Sequence, residues 1–123
     1  MSNELEKIEC DFTICKIDTM EKIDFTQEFV FLSKTDGEIS LVCESACVPP
    51  DAVSTDTGWK AFRISGVLDF ELIGVIAKIT DLLAKANISV FVVSTYNTDY
   101  IFVKAENFDR GLKTLICNGY VIK

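Results

Sequence analysis

Gly74-Val75-Ile76-Ala77-Lys78-Ile79-Thr80-Asp81-Leu82-Leu83-Ala84-Lys85-Ala86-Asn87-Ile88-Ser89-Val90-Phe91-Val92-Val93-Ser94 changes its hydrophobic period once, and that change decides the fold. From 74 to 86 the apolar residues Val75, Ile76, Ile79, Leu82, Leu83 and Ala86 recur at helical spacing, with Lys78, Asp81 and Lys85 opposite. That is one apolar stripe on an amphipathic helix. Asn87 suits a left-handed stop, because its short amide tolerates positive φ. Residues 88–94 are then nearly continuous apolar and β-branched, the pattern of a central strand.

The same reading extends in both directions. Trp59-Lys60-Ala61-Phe62-Arg63-Ile64-Ser65 alternates as a strand, with Phe62 and Ile64 on one face and Ala61 and Arg63 on the other. Tyr100–Lys104 forms a partner strand after a turn at Asn97–Asp99. A second helix from about Glu106 to Cys117 turns Phe108, Leu112, Leu115 and Ile116 inward, and Asn118 and Gly119 end it. A short strand closes the chain at Tyr120–Ile122. Strand, helix, strand, strand, helix, strand is a βαββαβ order. It predicts an α+β, ferredoxin-like unit with both helices on one face of an antiparallel sheet.

The N-terminal half is less regular. Ile8, Cys10, Phe12 and Ile14 alternate with Glu9, Asp11 and Thr13 as a half-buried strand. Residues 18–27 read as one or two helical turns. Residues 29–33 and 38–43 are strand-like, and Thr35-Asp36-Gly37 between them marks a hairpin with Gly37 at positive φ. The stretch 44–58 holds both prolines and reads as a linker. The expected division is a truncated unit at 1–57, its linker at about 44–58, and a complete unit at 58–123. The two halves share element order more than residues, as in an imperfect repeat.

Composition excludes several functions. The chain has 123 residues, 49% hydrophobic and 25% charged, enough for one compact domain or two small ones. No apolar run approaches the roughly 20 residues of a membrane span. Met1–Lys7 lacks the pattern of a signal peptide, so a cytoplasmic location is expected. A net charge of −7 opposes binding to phosphate backbones and anionic membranes. Lys60 with Arg63 is the nearest thing to a basic cluster and reads as a strand with solvated tips.

There is no histidine, so Ser-His and Cys-His nucleophiles and imidazole metal ligands are absent. Five cysteines at positions 10, 15, 43, 47 and 117 fit neither a zinc spacing nor a disulfide framework. They read as small buried hydrophobes. A non-enzymatic protein without cofactor or metal is expected.

Several segments resemble one family. Gly74-Val75-Ile76-Ala77-Lys78-Ile79 is similar to the first-helix start of ACT domains, with Ile73 where those domains commonly have proline. Ala86-Asn87-Ile88-Ser89 falls where they enter their second strand. Trp59–Arg63, Gly66–Leu72, Ile88–Phe91 and Ser94-Thr95-Tyr96-Asn97-Thr98-Asp99-Tyr100 together resemble the small tandem-ACT family that includes the cytosolic arginine sensors of animals. The likeness runs from about Phe29 to the C-terminus, through Ser40–Cys43 and Val48-Pro49-Pro50.

The resemblance implies tandem ACT units, the first degenerate, and a homodimer. It implies a free amino acid bound between ACT units, with no chemistry performed. The pocket walls would be Phe70, Glu71, Leu72, Ile73, Gly74 and Val75 at the helix start, and Thr95, Tyr96, Asn97, Thr98 and Asp99 in the turn. In the arginine-sensing relatives an acid lies two residues before the helix-start glycine. Leu72 stands there in this chain, so an aliphatic or small polar ligand fits the pattern as well as arginine.

Physical chemistry offers two readings for each residue. A helix N-terminus attracts a carboxylate, and Gly74 lets it approach; equally, Gly74 eases helix entry. Asp99 can pair an ammonium, and Thr95 and Asn97 can add polar partners; equally, Asp99 and Asn97 are turn formers. Tyr96 can cover a pocket or pack as an ordinary aromatic. Glu71 can be a surface acid favoured by the helix dipole. The alternative function is a ligand-free module that assembles by sheet pairing.

Overall fold

The computed structural model describes residues 3–66 and 73–123. The order is β1 (Glu4–Ile17), β2 (Val30–Lys34), β3 (Ile39–Glu44), a 3-10 turn (Ser45–Cys47), β4 (Ser54–Ile64), α1 (Val75–Lys85), β5 (Phe91–Ser94), β6 (Asp99–Lys104), α2 (Ala105–Cys117) and β7 (Val121–Ile122). The chain divides into two compact units. One comprises the residues up to Glu9 together with Lys60–Lys123; the other is Cys10–Trp59. The expected division after residue 57 falls inside β4, because β1 and β4 each run through both units.

In the C-terminal unit the strand order is β1-β4-β6-β5, with β7 on β1. β5 and β6 are antiparallel, Phe91 opposite Phe102 and Ser94 opposite Asp99. β7 runs parallel to the start of β1, Glu4 opposite Val121 and Leu5 opposite Ile122. Periodicity does not disclose this partnership, which departs from an all-antiparallel sheet. The Val121 N–H donates to the Asn3 carbonyl at 2.9 Å, and the Lys123 N–H to Leu5 at 2.7 Å.

Alternation places Leu5, Phe62, Ile64, Ile101 and Val103 on the helix side, packed with Ile79 and Leu83 of α1 and Phe108, Leu112 and Leu115 of α2. Burying each such side chain contributes about 1.5–3 kcal/mol. Ile116 is half exposed, at 52%, contrary to the inward position expected for it. The Phe108, Leu112, Leu115 stripe defines the buried face, and Ile116 lies one step, about 100°, around the helix from it. The run 88–94 ends the strand order as a half-buried β5 of four residues, not a central strand.

Both helices stop as their sequences predict. Asn87 takes φ 64°, and the Ile88 N–H donates to the Leu83 carbonyl at 2.9 Å. Gly119 takes φ 95°, and Tyr120 N–H reaches Leu115 at 3.1 Å. These are left-handed caps that satisfy the last carbonyls. Arg110 of α2 donates to the Ala86 carbonyl at the end of α1.

In the N-terminal unit β3 lies between β2 and β1, antiparallel to both. The hairpin forms where expected, but Gly37 is not at positive φ. Thr35 Oγ1 accepts from the Gly37 and Glu38 N–H groups at 3.2 Å each, so a hydroxyl shapes the turn instead. Residues 18–27 form turns without a helix. Asp24 Oδ1 accepts from the Thr26 N–H at 2.9 Å, a side-chain bond that competes with helix formation.

Ile23 packs with Cys15, Ile17, Leu41 and Cys43. On β1, Thr13, Cys15 and Ile17 are buried on one face and Phe12 on the other, with Thr13 fully buried and hydrogen-bonded to Ser45 Oγ at 2.8 Å. The stretch 44–58 is not wholly irregular: it holds the 3-10 turn and the first residues of β4.

Candidate functional site

Two cavities in the C-terminal unit border the segments singled out by the sequence. The first, of about 360 Å³, lies at the start of α1. Ile73, Gly74 and Val75 line it with Lys78, Asn118 and Tyr120. Gly74 is the N-cap at φ 78°, and among the described residues beyond its chain neighbours no atom lies within 4 Å of the position its Cβ would take. The glycine is needed for its conformation rather than for room. Its carbonyl accepts the first helical bond, from the Lys78 N–H at 3.1 Å. The Lys78 ammonium lies 5.9 Å from the Tyr120 ring centroid, and burial pushes the Tyr120 phenol up. Ile73 is 96% exposed.

The second cavity, of about 300 Å³, is lined by Glu6, Arg63, Gly66, Asn97, Thr98 and Tyr100. Arg63 Nε donates to Glu6 Oε1 at 2.9 Å, and Arg63 Nη1 to the Tyr100 hydroxyl at 3.0 Å. Ser65 Oγ donates to Glu6 Oε2 at 3.0 Å. Lys123 Nζ reaches Ser65 Oγ at 3.3 Å and Glu4 Oε1 at 3.1 Å. The Arg63 and Ser65 bonds hold the Glu6 carboxyl below its ordinary range. Tyr100 and Glu6 in turn keep the guanidinium charged.

The turn residues divide by role. The Thr95 N–H donates to the Thr98 carbonyl at 2.8 Å, and Thr95 Oγ1 donates to the same carbonyl at 3.1 Å. Thr98 is buried, and its Oγ1 donates to the Ile64 carbonyl at 2.8 Å. Both threonines thus shape the turn. Tyr96 is 79% exposed. Asp99 is half-buried and opposes Ser94 in the ladder. Asn97 is exposed at the mouth of the second cavity. Ile73, Gly74 and Val75 therefore share one cavity, while Asn97 and Thr98 border the other. Phe70, Glu71 and Leu72 lie outside the described residues.

Glu6, Arg63, Gly66 and Tyr100 line the second cavity but are not among the pocket residues expected from the sequence. One signal is present: Arg63 is a charge between the apolar Phe62 and Ile64, on the opposite face of the strand from them.

Raised pKa values oppose nucleophilic thiolates at Cys10, Cys15, Cys43 and Cys47. Burial and neighbouring groups push the Cys43 thiol up to about 12 and Cys10 up to about 11. Among the described residues no group of three or more His, Cys, Asp or Glu is placed to hold a metal ion. No helix among them is long and apolar enough to cross a membrane.

The βαββαβ order from β4 onward, with two helices on one sheet face, defines an α+β, ferredoxin-like unit. A family model described as ACT domain matches residues 54–116, just over half of the chain. The chain belongs to the ACT-domain family.

It is 31% identical over 94 residues to the cytosolic arginine sensor for mTORC1 subunit 1 of Homo sapiens, covering 71% of this chain and 29% of that protein. The chain thus spans less than a third of the length of the curated relatives it matches. A solved protein from Agrobacterium tumefaciens is similar with a TM-score of 0.84 at 26% identity, over 98% of this chain and 91% of that one. The ligand-free regulatory subunit of aspartate kinase from Thermus thermophilus has a TM-score of 0.62 at 10% identity, over 91% and 94%. That likeness is one of fold alone.

Proposed function

We propose that this chain is a regulatory module that binds a free amino acid and performs no catalysis. The observation that carries the reading is the ACT-domain match, because residues 54–116 include the helix start and the turn that border both cavities. The related human protein is an arginine sensor by name, and the fold recurs in a regulatory subunit of aspartate kinase. The ligand contacts proposed here are Phe70 to Val75 and Thr95 to Asp99. The N-terminal unit acts as a degenerate ACT partner, the protein works as a cytoplasmic homodimer, and an ACT–ACT interface completes the pocket.

A thermal-shift panel of the amino acids tests this directly. A ligand that binds only the folded state at about a hundred times its Kd stabilises by about 2.7 kcal/mol. A melting temperature unmoved by every amino acid at millimolar concentration rejects the reading.

The second reading is a ligand-free module that assembles by sheet pairing. β5 favours it, since that strand ends the order with Phe91, Val92 and Val93 only half-buried. Sedimentation without added ligand separates the two: a dimer that persists while no amino acid binds supports pairing alone.

A further inference from the structure

We propose that the cavity between Glu6, Arg63, Tyr100 and Asn97 binds the zwitterionic backbone of an α-amino acid with an uncharged side chain. The inference rests on the amino-acid-binding reading above; it places the ligand's charged groups at the Asn97–Thr98 end of the contacts proposed there and names a ligand class.

The site is built by strand alternation. Leu5, Ile64 and Ile101 point into the core under the helices. Their chain neighbours Glu6, Arg63 and Tyr100 therefore point to the opposite face. Because β1, β4 and β6 are adjacent in the strand order, these three side chains meet. Gly66, at φ 78° and without a side chain, and Asn97 border the cavity. Its volume of about 300 Å³ suits a small ligand.

Arg63 is held from two sides before any ligand arrives. Glu6 accepts from Nε at 2.9 Å, and the Tyr100 hydroxyl accepts from Nη1 at 3.0 Å. The guanidinium carbon also sits 5.7 Å from the Tyr100 ring centroid. A ligand carboxylate arriving at the Nη edge takes the bond that Tyr100 now accepts. The phenol then rotates its proton toward the same carboxylate, which gains two donors. The ligand ammonium donates to Glu6, whose two oxygens accept from Arg63 and Ser65. An ionised carboxylate has about four lone-pair sites, enough for a third donor.

The charge balance selects the side chain. Glu6 and Arg63 cancel, and the two ends of a zwitterion match them. Apart from Glu6 and Arg63 the lining residues Gly66, Asn97, Thr98 and Tyr100 carry no charge, so a charged ligand side chain meets no opposite charge among them. The Asn97 amide can both donate and accept, so it suits a neutral polar side chain. The expected order is glutamine, asparagine, serine or threonine ahead of arginine and aspartate.

The test is calorimetric titration of the full chain with these six amino acids and with the carboxamide of the tightest one. A neutral polar amino acid should bind, and its carboxamide should bind at least about tenfold more weakly. Tyr100→Phe should weaken the amino acid about tenfold, and Arg63→Gln by more. The preference for carboxylate over carboxamide should vanish in Arg63→Gln; a purely structural role for Arg63 would leave it intact. If Arg63→Gln fails to fold, Tyr100→Phe decides, because it keeps the ring. An amino acid that binds both variants as tightly as the parent chain overturns this site but not the function. Arginine as the tightest ligand overturns the ligand class. No binding of any of the six overturns this proposal, and the function itself falls only if every amino acid fails in the thermal-shift panel.

Discussion

The hydroxyl of Thr98 donates a buried 2.8 Å hydrogen bond to the carbonyl of Ile64, 34 residues away in the chain. Ile64 is the last residue of β4, and Thr98 immediately precedes β6. The bond therefore anchors the Thr95–Thr98 turn to the strand that carries Arg63. Thr98→Val keeps the shape but strands that carbonyl without its partner. The expected loss is about 1–3 kcal/mol in urea denaturation, with most of it restored in Thr98→Ser. An unchanged midpoint in Thr98→Val would show that the bond carries no stability.

Gly74 separates conformation from contact. At φ 78°, with nothing among the described residues beyond its chain neighbours within 4 Å of a would-be Cβ, Gly74→Ala should cost about 1–2 kcal/mol through backbone strain. Gly74→Asn should recover part of this, since asparagine tolerates left-handed backbone. Equal melting temperatures for the alanine and asparagine variants would contradict the assignment.

Gly111 makes the opposite case. It lies within α2, and a Cβ there would meet Leu83 Cδ2 at 3.5 Å and Ile88 Cδ1 at 3.6 Å, ordinary contact distances. Gly111→Ala should raise stability by about 0.5–1 kcal/mol, because alanine loses less backbone entropy in a helix. A lowered melting temperature would mean that the helices pack too closely to admit a methyl group.

Glu6 makes stability depend on pH. Its folded-state pKa lies below the ordinary value of 4.5, chiefly through Arg63 and then Ser65. A lowered pKa gives stability that is fully present above the ordinary value and is lost as pH falls through the folded one. The gap in stability between the parent chain and Glu6→Gln should therefore be widest near neutrality and narrow as the pH falls below 4.5. Denaturation midpoints measured across that range check it; a constant gap would remove Glu6 from the acid limb.

Thiol labelling reads the cysteine environments. Cys117 is exposed, whereas Cys15 and Cys43 are buried and their thiols are pushed up. A disulfide reagent at about pH 8 should label Cys117 first and leave Cys15 and Cys43 protected until unfolding. Cys117→Ser should remove the fast phase. Prompt labelling of Cys43 in the native chain would show that the Cys15–Leu41–Cys43 cluster opens readily.

Local chemistry was legible wherever one element carried its own signal. The stripe of Ile79 and Leu83, the left-handed stops at Asn87 and Gly119, and the β2–β3 hairpin all follow from residues within a few positions of each other. The reading failed where two local solutions compete. At 18–27 the Asp24 side chain captures the Thr26 N–H, and at Gly37 the Thr35 hydroxyl does what a left-handed glycine was expected to do. Ile116 and the run 88–94 show a second limit. Apolarity marks a face, but neighbours decide which apolar residue is covered.

By itself, then, the sequence determined the α+β class, the order of elements from β4 onward, and the family to which that stretch belongs. Those properties repeat over short spans, where periodicity and cap chemistry act. Only the tertiary structure decided that the residues before Glu9 join the C-terminal unit, through β7 pairing with Glu4 and Leu5. Only it brought Glu6 to within 2.9 Å of Arg63, across 57 positions of chain. Strand pairing is a long-range choice among edges of similar local propensity. It also separated the Gly74 cavity from the one at Asn97, a distinction that motif spacing does not carry.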